Sequence, residues 1–261
     1  MADNVPDEWL NFEDFAAGID TNRLPRSAAL VGQTLDIALD NGRAFKLTFT
    51  AADAATVQEA GQETREWCEV VPTTADTWFV DLTFAAQPTV AETLMFNTAT
   101  RRLLSIRARI RPVSEVQGEP RVAQDWVAGR LLGGELSGVA PHPTRDLIGL
   151  RAFYTYSPNH VYEHVYLSSE RYGWQNLKGV QRGHGDTDLS TTFKFADDQY
   201  VFGFREFIIP VASVFFYDFA ALRSTGKFLG ETAEGTAQNS PAGAFIQKAS
   251  MTYYPAGVEP V

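Results

Sequence analysis

The sequence predicts an all-β protein of two tandem antiparallel barrels produced by internal duplication, and three observations in its 261 residues carry that reading. Aromatic residues reach 12% and Gly and Pro are frequent, whereas heptad-like runs are scarce, a composition that favours strands over helices. Short segments alternate apolar and polar residues between turn signals. The second half then repeats the pattern of the first, which points to a copied unit rather than one large sheet.

In chain order, residues 1–26 form an N-terminal extension. Its start, MADNVPDEWLNFEDF, has neither a basic n-region nor an apolar h-region, and no later run is long enough to span a bilayer, so secretion and membrane insertion are not expected. Residues 27–113 form the first barrel. LVGQTLDIALDNGRAFKLTFT, from Leu30 to Thr50, reads as a hairpin: a Leu-aliphatic-Gly start, an alternating strand, a turn at Asp40, Asn41 and Gly42, and a second alternating strand. ADTWFVDLTFAAQP and then TLMF supply further strands. Residues 114–143 are rich in Gly and polar residues with little alternation, so they read as a linker with room for one short helix.

Residues 144–261 form the second barrel with a C-terminal tail. LIGLRAFYTYSPNHVYEHVYLS matches the first hairpin when Gly149 is set on Gly32, with Ser157, Pro158 and Asn159 at the turn. ADDQYVFGFREFIIP answers ADTWFVDLTFAAQP when Pro210 is set on Pro88, with one extra residue, and SVFFYDF follows. SPAGAFIQKASMTYYPAGVEPV supplies a closing strand whose barrel the sequence leaves open. Each copy suits about eight short strands. A pair of β-sandwiches is the alternative architecture.

Alternation assigns faces, because residues two apart share one side of a strand. In the first copy Leu35, Ile37 and Leu39, then Phe45, Leu47 and Phe49, then Trp78, Val80, Leu82 and Phe84 must line the interior. Carried through the repeat, those positions become Ala152, Tyr154 and Tyr156, then Tyr162, His164 and Tyr166, then Tyr200, Phe202, Phe204 and Glu206. An aliphatic lining has been replaced by hydroxyls, an imidazole and a carboxylate. Each buried polar group costs on the order of 1 to 3 kcal/mol if its hydrogen bonds are unmet, so function is the expected reason for keeping them. A tyrosine with its ring buried and its hydroxyl at the barrel mouth is the bland alternative for Tyr162 and Tyr166. Glu206 stands among Phe204, Phe207 and Ile208, with Arg205 on the opposite face, so it needs a buried partner or a raised pKa, and either makes it a candidate acid or base.

The formal net charge of −10 gives no electrostatic footing for nucleic acid or anionic lipid and favours neutral or small partners. Cys68 is the one cysteine, so no internal disulfide forms; a reducing, cytoplasmic setting and a small core residue are expected. His160 to His164 spell H-x-x-E-H, but that zinc pattern works on a helix, and on an alternating strand Glu163 faces away from both histidines. No metal is expected. GHGDTD, from Gly183 to Asp188, reads as a hairpin loop, and neither a nucleophile elbow nor a dinucleotide fingerprint is present in a strand-to-helix setting.

The second copy, HPTRDLIGLRAFYTYSPNHVYEHVYLSSERYGWQNLKGVQRGHGDTD followed by ADDQYVFGFREFIIPVASVFFYDFAALRSTGKFLG, resembles the C-terminal domain of the MoaF family, called molybdenum cofactor biosynthesis protein F. The first copy is similar to that family's N-terminal domain, and YSPNHVYEHVYL and REFIIP are the most specific words. The resemblance implies a pair of lipocalin-like (calycin) barrels and a link to molybdenum cofactor metabolism. FYTYSPNHVYEHVY also resembles the opening strands of phenolic acid decarboxylases, single lipocalin-like barrels that need no cofactor. That likeness implies that Tyr154 and Tyr156 hold a substrate carboxylate, that Tyr162 beside Glu163 is the further tyrosine of that family's Tyr-Glu pair, and that Glu206 handles a phenol proton. The arginine of that family falls on His184, with Arg182 two residues away, and an imidazole is neither permanently charged nor bidentate.

The expectation is therefore an enclosed pocket in the second barrel for a small aromatic or conjugated molecule. Glu206 would move a proton while Tyr154 and Tyr156 orient an oxygen, and Tyr162, His164, Tyr166, His184, Tyr200 and Phe204 would contact the ligand. No cofactor is expected. Decarboxylation, hydration or isomerisation would all use that set, and the first barrel would be structural or form a homodimer. A non-catalytic ligand carrier and an accessory factor for molybdenum enzymes are the competing classes.

Overall fold

The computed structural model describes residues 10–261 and contains two compact units. The first nine residues of the N-terminal extension lie outside the described residues.

One unit comprises Leu24–Arg109 and Gln124–His142. Its strands are β1 (Thr34–Leu39), β2 (Ala44–Ala51), β3 (Ala54–Glu59), β4 (Gln62–Pro72), β5 (Thr77–Phe84), β6 (Gln87–Asn97), β7 (Arg102–Ile110) and β8 (Val122–Leu131), joined in sequence order into a closed barrel. The alternating residues enter as expected: Phe45, Leu47 and Phe49 of β2 are buried while Lys46 is exposed. Ile37, Leu39, Val80 and Leu82 join them in one apolar cluster, with Leu35, Trp78 and Phe84 at its margin. A fully buried side chain of this size contributes about 1.5 to 3 kcal/mol, which makes this lining the source of the barrel's stability. Cys68 belongs to the same cluster, and burial pushes its thiol up to about 11.

The stretch read as a linker contains β8, the strand that closes this barrel against β1. Its alternation is weak because both faces are half-buried rather than one dry and one wet. Gly129 lets it approach β1, since a Cβ there would stand 2.6 Å from the Ala38 carbonyl oxygen.

The other unit contains the described residues up to Arg23, Ile110–Ala123 and Pro143–Val261. After α1 (Phe12–Ala16) its strands are β9 (His142–Pro143), β10 (Leu150–Ser157), β11 (His160–Tyr166), β12 (Arg171–Lys178), β13 (Gly185–Ala196), β14 (Gln199–Arg205), β15 (Val211–Asp218), β16 (Arg223–Glu231), β17 (Ala237–Ala242) and β18 (Phe245–Met251). The sheet runs β12-β11-β10-β18-β16-β15-β14-β13, and pairing of β12 with β13 closes it as a second eight-stranded barrel, with β17 added on β16. The C-terminal strand β18 thus joins the second barrel, between β10 and β16.

The duplication is visible in the hydrogen bonds. Gly32 donates its N–H to the Phe49 carbonyl and Gly149 to the Tyr166 carbonyl, each at 2.8 Å, and both glycines have a positive φ (83° and 90°). Tyr166 therefore occupies in the second barrel the place of Phe49 in the first.

Candidate functional site

In the β10–β11 hairpin Tyr154 faces Tyr162 and Ala152 faces His164 across the ladder, so directly opposed residues share the interior face. On β11 the register turns Glu163 outward, where it pairs with Arg151 and accepts a hydrogen bond from Gln175. His160, at the turn, is held by Ser157 (Oγ to Nδ1, 2.8 Å). The H-x-x-E-H word is thus a strand with its ionisable groups on opposite faces. Among the described residues no group of His, Cys, Asp and Glu is arranged to hold a metal.

Aromatic rings fill the middle of the barrel. Tyr154 packs on His164 with centroids 4.3 Å apart, and its hydroxyl lies 2.7 Å from that of Tyr166. Burial raises both phenols above their ordinary range, and they serve as core residues with their polar atoms paired. Tyr200, at the start of β14, donates to Asp146 at 3.0 Å. His184 lies in the loop before β13, where its N–H donates to the Gln181 carbonyl.

The cavity is formed by Tyr156, Tyr162, His164, Phe204 and Glu206, all anticipated from the repeat, together with Tyr172, Trp174, Gln181 and Phe228. Tyr172 and Trp174 alternate on β12 with the same two-residue period, but that strand has no counterpart among the repeated segments and so carried no signal. Tyr172 stacks on Phe204 at 5.2 Å, and the Tyr162 hydroxyl donates to Gln181 at 2.9 Å. Tyr154, Tyr166, Tyr200 and His184 do not line the cavity.

Two further walls come from the N-terminal segment. Phe15 and Ile19 close the cavity, and Phe12 and Phe15 pack on Phe228. The segment is strapped down: Asn22 donates its N–H to the Tyr156 carbonyl (3.0 Å) and its side-chain amide to the Thr155 carbonyl (2.9 Å), while Arg223 reaches the Asn22 carbonyl (2.8 Å). Gly230 makes room for the Phe12 ring, which a Cβ would meet at 2.9 Å. Phe12, Phe15 and Ile19 recur at helical spacing in the sequence, a signal the strand-centred reading left unused. With the strap in place the cavity volume is about 30 Å³, room for about two water molecules.

Glu206 follows β14 and is buried. Its pKa is raised well above the carboxylate range, first by desolvation and then by the charges of Asp188 and Asp186. No described residue donates a hydrogen bond to its carboxyl oxygens. Glu92 in the first barrel is the contrasting case: also buried, it accepts from Arg43 Nη1 at 2.6 Å, Ser105 Oγ at 2.7 Å and Arg107 Nη1 at 2.8 Å. Glu92 is a satisfied structural ion, whereas Glu206 offers its carboxyl to the cavity.

Asp188, which sequence reasoning missed inside a presumed loop, stands behind this wall. It accepts from Trp174 Nε1 at 2.9 Å and from the Phe207 N–H at 3.3 Å. Burial pushes its carboxyl up to about 7 against those two bonds. His164 is held neutral by burial, its pKa lowered to about 3, and its Nδ1 has no hydrogen-bond partner among the described residues. The site therefore sets the Glu206 carboxyl and the neutral His164 imidazole, a hydrogen-bond acceptor, in one enclosure walled by aromatic faces.

Comparison with known proteins fits this architecture. Residues 7–112 match the MoaF N-terminal domain model and residues 141–252 the MoaF C-terminal domain model. Over 140 residues the chain is 39% identical to Protein MoaF of Klebsiella aerogenes, a match covering 52% of this chain and 53% of that protein, so it spans about half of that relative's length. A crystal structure from Burkholderia vietnamiensis, described as a candidate beta-lactamase, covers 41% of this chain and 99% of its own at 16% identity with a TM-score of 0.35, too low for any argument.

Proposed function

Since the chain belongs to the MoaF family, we propose that its second barrel binds a small planar molecule and performs acid/base chemistry on it without a cofactor, entry requiring the N-terminal strap to lift. The observation that carries this reading is the contrast between Glu92 and Glu206: one buried acid has three donors, the other faces a cavity with none. Evolution retains an unmet buried carboxyl where something transient meets it.

Withdrawal of Phe15 and Ile19 enlarges a space that now holds only water-sized guests. A planar ligand would then stack among Tyr172, Trp174 and Phe204, with Glu206 exchanging a proton with it and Tyr156 orienting a polar atom. Among the described residues the cavity wall contains neither Lys nor Arg, and Tyr154 is turned to Tyr166, so this reading favours a ligand without carboxylate or phosphate. An accessory role in molybdenum cofactor metabolism rests on the family's association alone. A purely carrying role would use the same groups and is separated by the catalytic test below.

The chain has five tryptophans, so the indole N–H resonance of Trp174 can be assigned by comparison with Trp174→Phe and used as a reporter. A screen of uncharged and charged planar compounds should yield members that move that resonance, more strongly in Phe15→Ala. With a ligand in hand, Glu206→Gln should keep affinity within a few fold and abolish turnover if the site is catalytic. Failure of every compound to move the Trp174 signal in both the native chain and Phe15→Ala would remove the reading.

A further inference from the structure

The charge the cavity lacks is positive. Asp186 and Asp188 alternate on β13 opposite Trp174 and Tyr172, and both act on Glu206, so three acids crowd one end of the barrel. Glu206 shares the cavity wall with Tyr156 from β10, Tyr162 and His164 from β11, Tyr172 and Trp174 from β12 and Gln181, and the charges of Asp188 and Asp186 on β13 act on it; among the described residues the strap contributes Phe15 and Ile19. Arg171, a cation that acts on Asp188, pairs in register with Leu189 rather than with the aspartate, and its guanidinium lies over the Phe207 ring at 5.1 Å.

We propose that the second barrel takes an organic cation, a protonated amine on an aromatic body, with its ammonium against Glu206 and its ring among Trp174, Tyr172 and Phe204. This rests on the ligand-site reading above and adds the ligand's charge. An anion brought here would meet the Glu206 carboxyl, with Asp188 and Asp186 acting on it from β13, and no cationic side chain among the described residues of the wall. A neutral guest would gain hydrogen bonds but leave the crowding of acids unrelieved. An ammonium lets Glu206 ionise, offsets the repulsion from Asp188 and Asp186, and meets aromatic faces whose quadrupoles attract cations. Its N–H groups also supply donors to His164, whose Nδ1 is unpartnered in a side chain that is 3% exposed and lines the cavity.

Benzylamine, benzyl alcohol and benzoate share a ring and differ in charge, which makes them the probes for full-length protein titrated by NMR at pH 8 and pH 5. Benzylamine should bind at least tenfold tighter than benzyl alcohol at pH 8, lose most of that advantage at pH 5 as Asp188 and Glu206 take up protons, and exceed benzoate throughout. In Glu206→Gln, checked for folding by its melting curve, the amine-to-alcohol ratio should fall to about one. Benzyl alcohol binding as tightly as benzylamine, or an amine preference that survives Glu206→Gln, would overturn the charge assignment while leaving a ligand site. If none of the three binds the native chain or Phe15→Ala, both the assignment and the site reading fall.

Discussion

The indole N–H of Trp174 donates to Asp188 Oδ2 at 2.9 Å, which ties a wall of the cavity to a buried acid behind it. The bond favours the charged carboxylate, yet burial wins and the group titrates at about 7.

This inversion sets a pH dependence of stability. Between the ordinary aspartate value and about 7 the folded protein holds a proton that the unfolded chain has released, so the contribution is fully present below about pH 4 and is lost as pH rises through 7. A displacement of about three units corresponds to roughly 4 kcal/mol. Glu206, raised in the same direction, adds to the slope. Urea unfolding of the native chain and Asp188→Asn at pH 5, 6, 7 and 8 should show the native chain losing stability relative to the variant as pH rises towards 7. Parallel profiles for the two proteins would dismiss the assignment.

His164 works in the opposite sense. Its pKa is lowered to about 3, so the unfolded chain binds a proton that the fold refuses, and the fold loses stability as pH drops from about 6.5 towards 3. Replacement by the residue at the equivalent place in the first barrel, His164→Leu, removes both this pH dependence and the unpartnered Nδ1. The variant should gain about 2 kcal/mol relative to the native chain on going from pH 7 to pH 5. Calorimetric melting at the two pH values checks this; an equal gain at both would mean packing, not titration.

Alternation in the sequence was enough to place Tyr156, Tyr162, His164, Phe204 and Glu206 inside the barrel, because a period of two fixes the face on which a side chain lies. It could not say how far along the barrel axis each residue sits. Tyr154, Tyr166 and Tyr200 share the face yet lie away from the cavity, and only the fold separates them from their neighbours. The strap was invisible for another reason: Phe15 reaches Phe228 across more than two hundred residues, and no local pattern encodes that contact. β8 escaped notice because its half-buried faces blur the period, and Asp188 because GHGDTD reads as turn chemistry although β13 begins within it.

The strap should open locally. Phe15 is 5% exposed and packs on Phe12 and Phe228, and truncating such a ring costs about 3 kcal/mol. Hydrogen exchange at the Asn22 amide, which donates to the Tyr156 carbonyl, should accelerate about a hundredfold in Phe15→Ala, while the Gly32 amide of the first barrel stays unchanged. Equal acceleration at both amides would indicate global destabilisation and no separate strap.

The two duplicated glycines separate backbone conformation from space. Gly32 and Gly149 both need a positive φ, so an alanine at either pays the left-handed penalty of roughly 1 to 2 kcal/mol. Their surroundings differ. A Cβ at Gly32 meets nothing within 4 Å, whereas at Gly149 it would stand 2.3 Å from the Thr252 carbonyl oxygen just beyond β18. That oxygen belongs to backbone and cannot swing aside, and the Thr252 N–H already donates to the Gly149 carbonyl at 2.9 Å, so relief must break the seam between β10 and β18. Gly32→Ala should therefore lose about 1 kcal/mol and unfold with the native denaturant slope. Gly149→Ala should lose at least twice as much, with accelerated exchange along β18. Equal losses for the two variants would show that β18 yields at Gly149 and that its seam does not hold the second barrel closed.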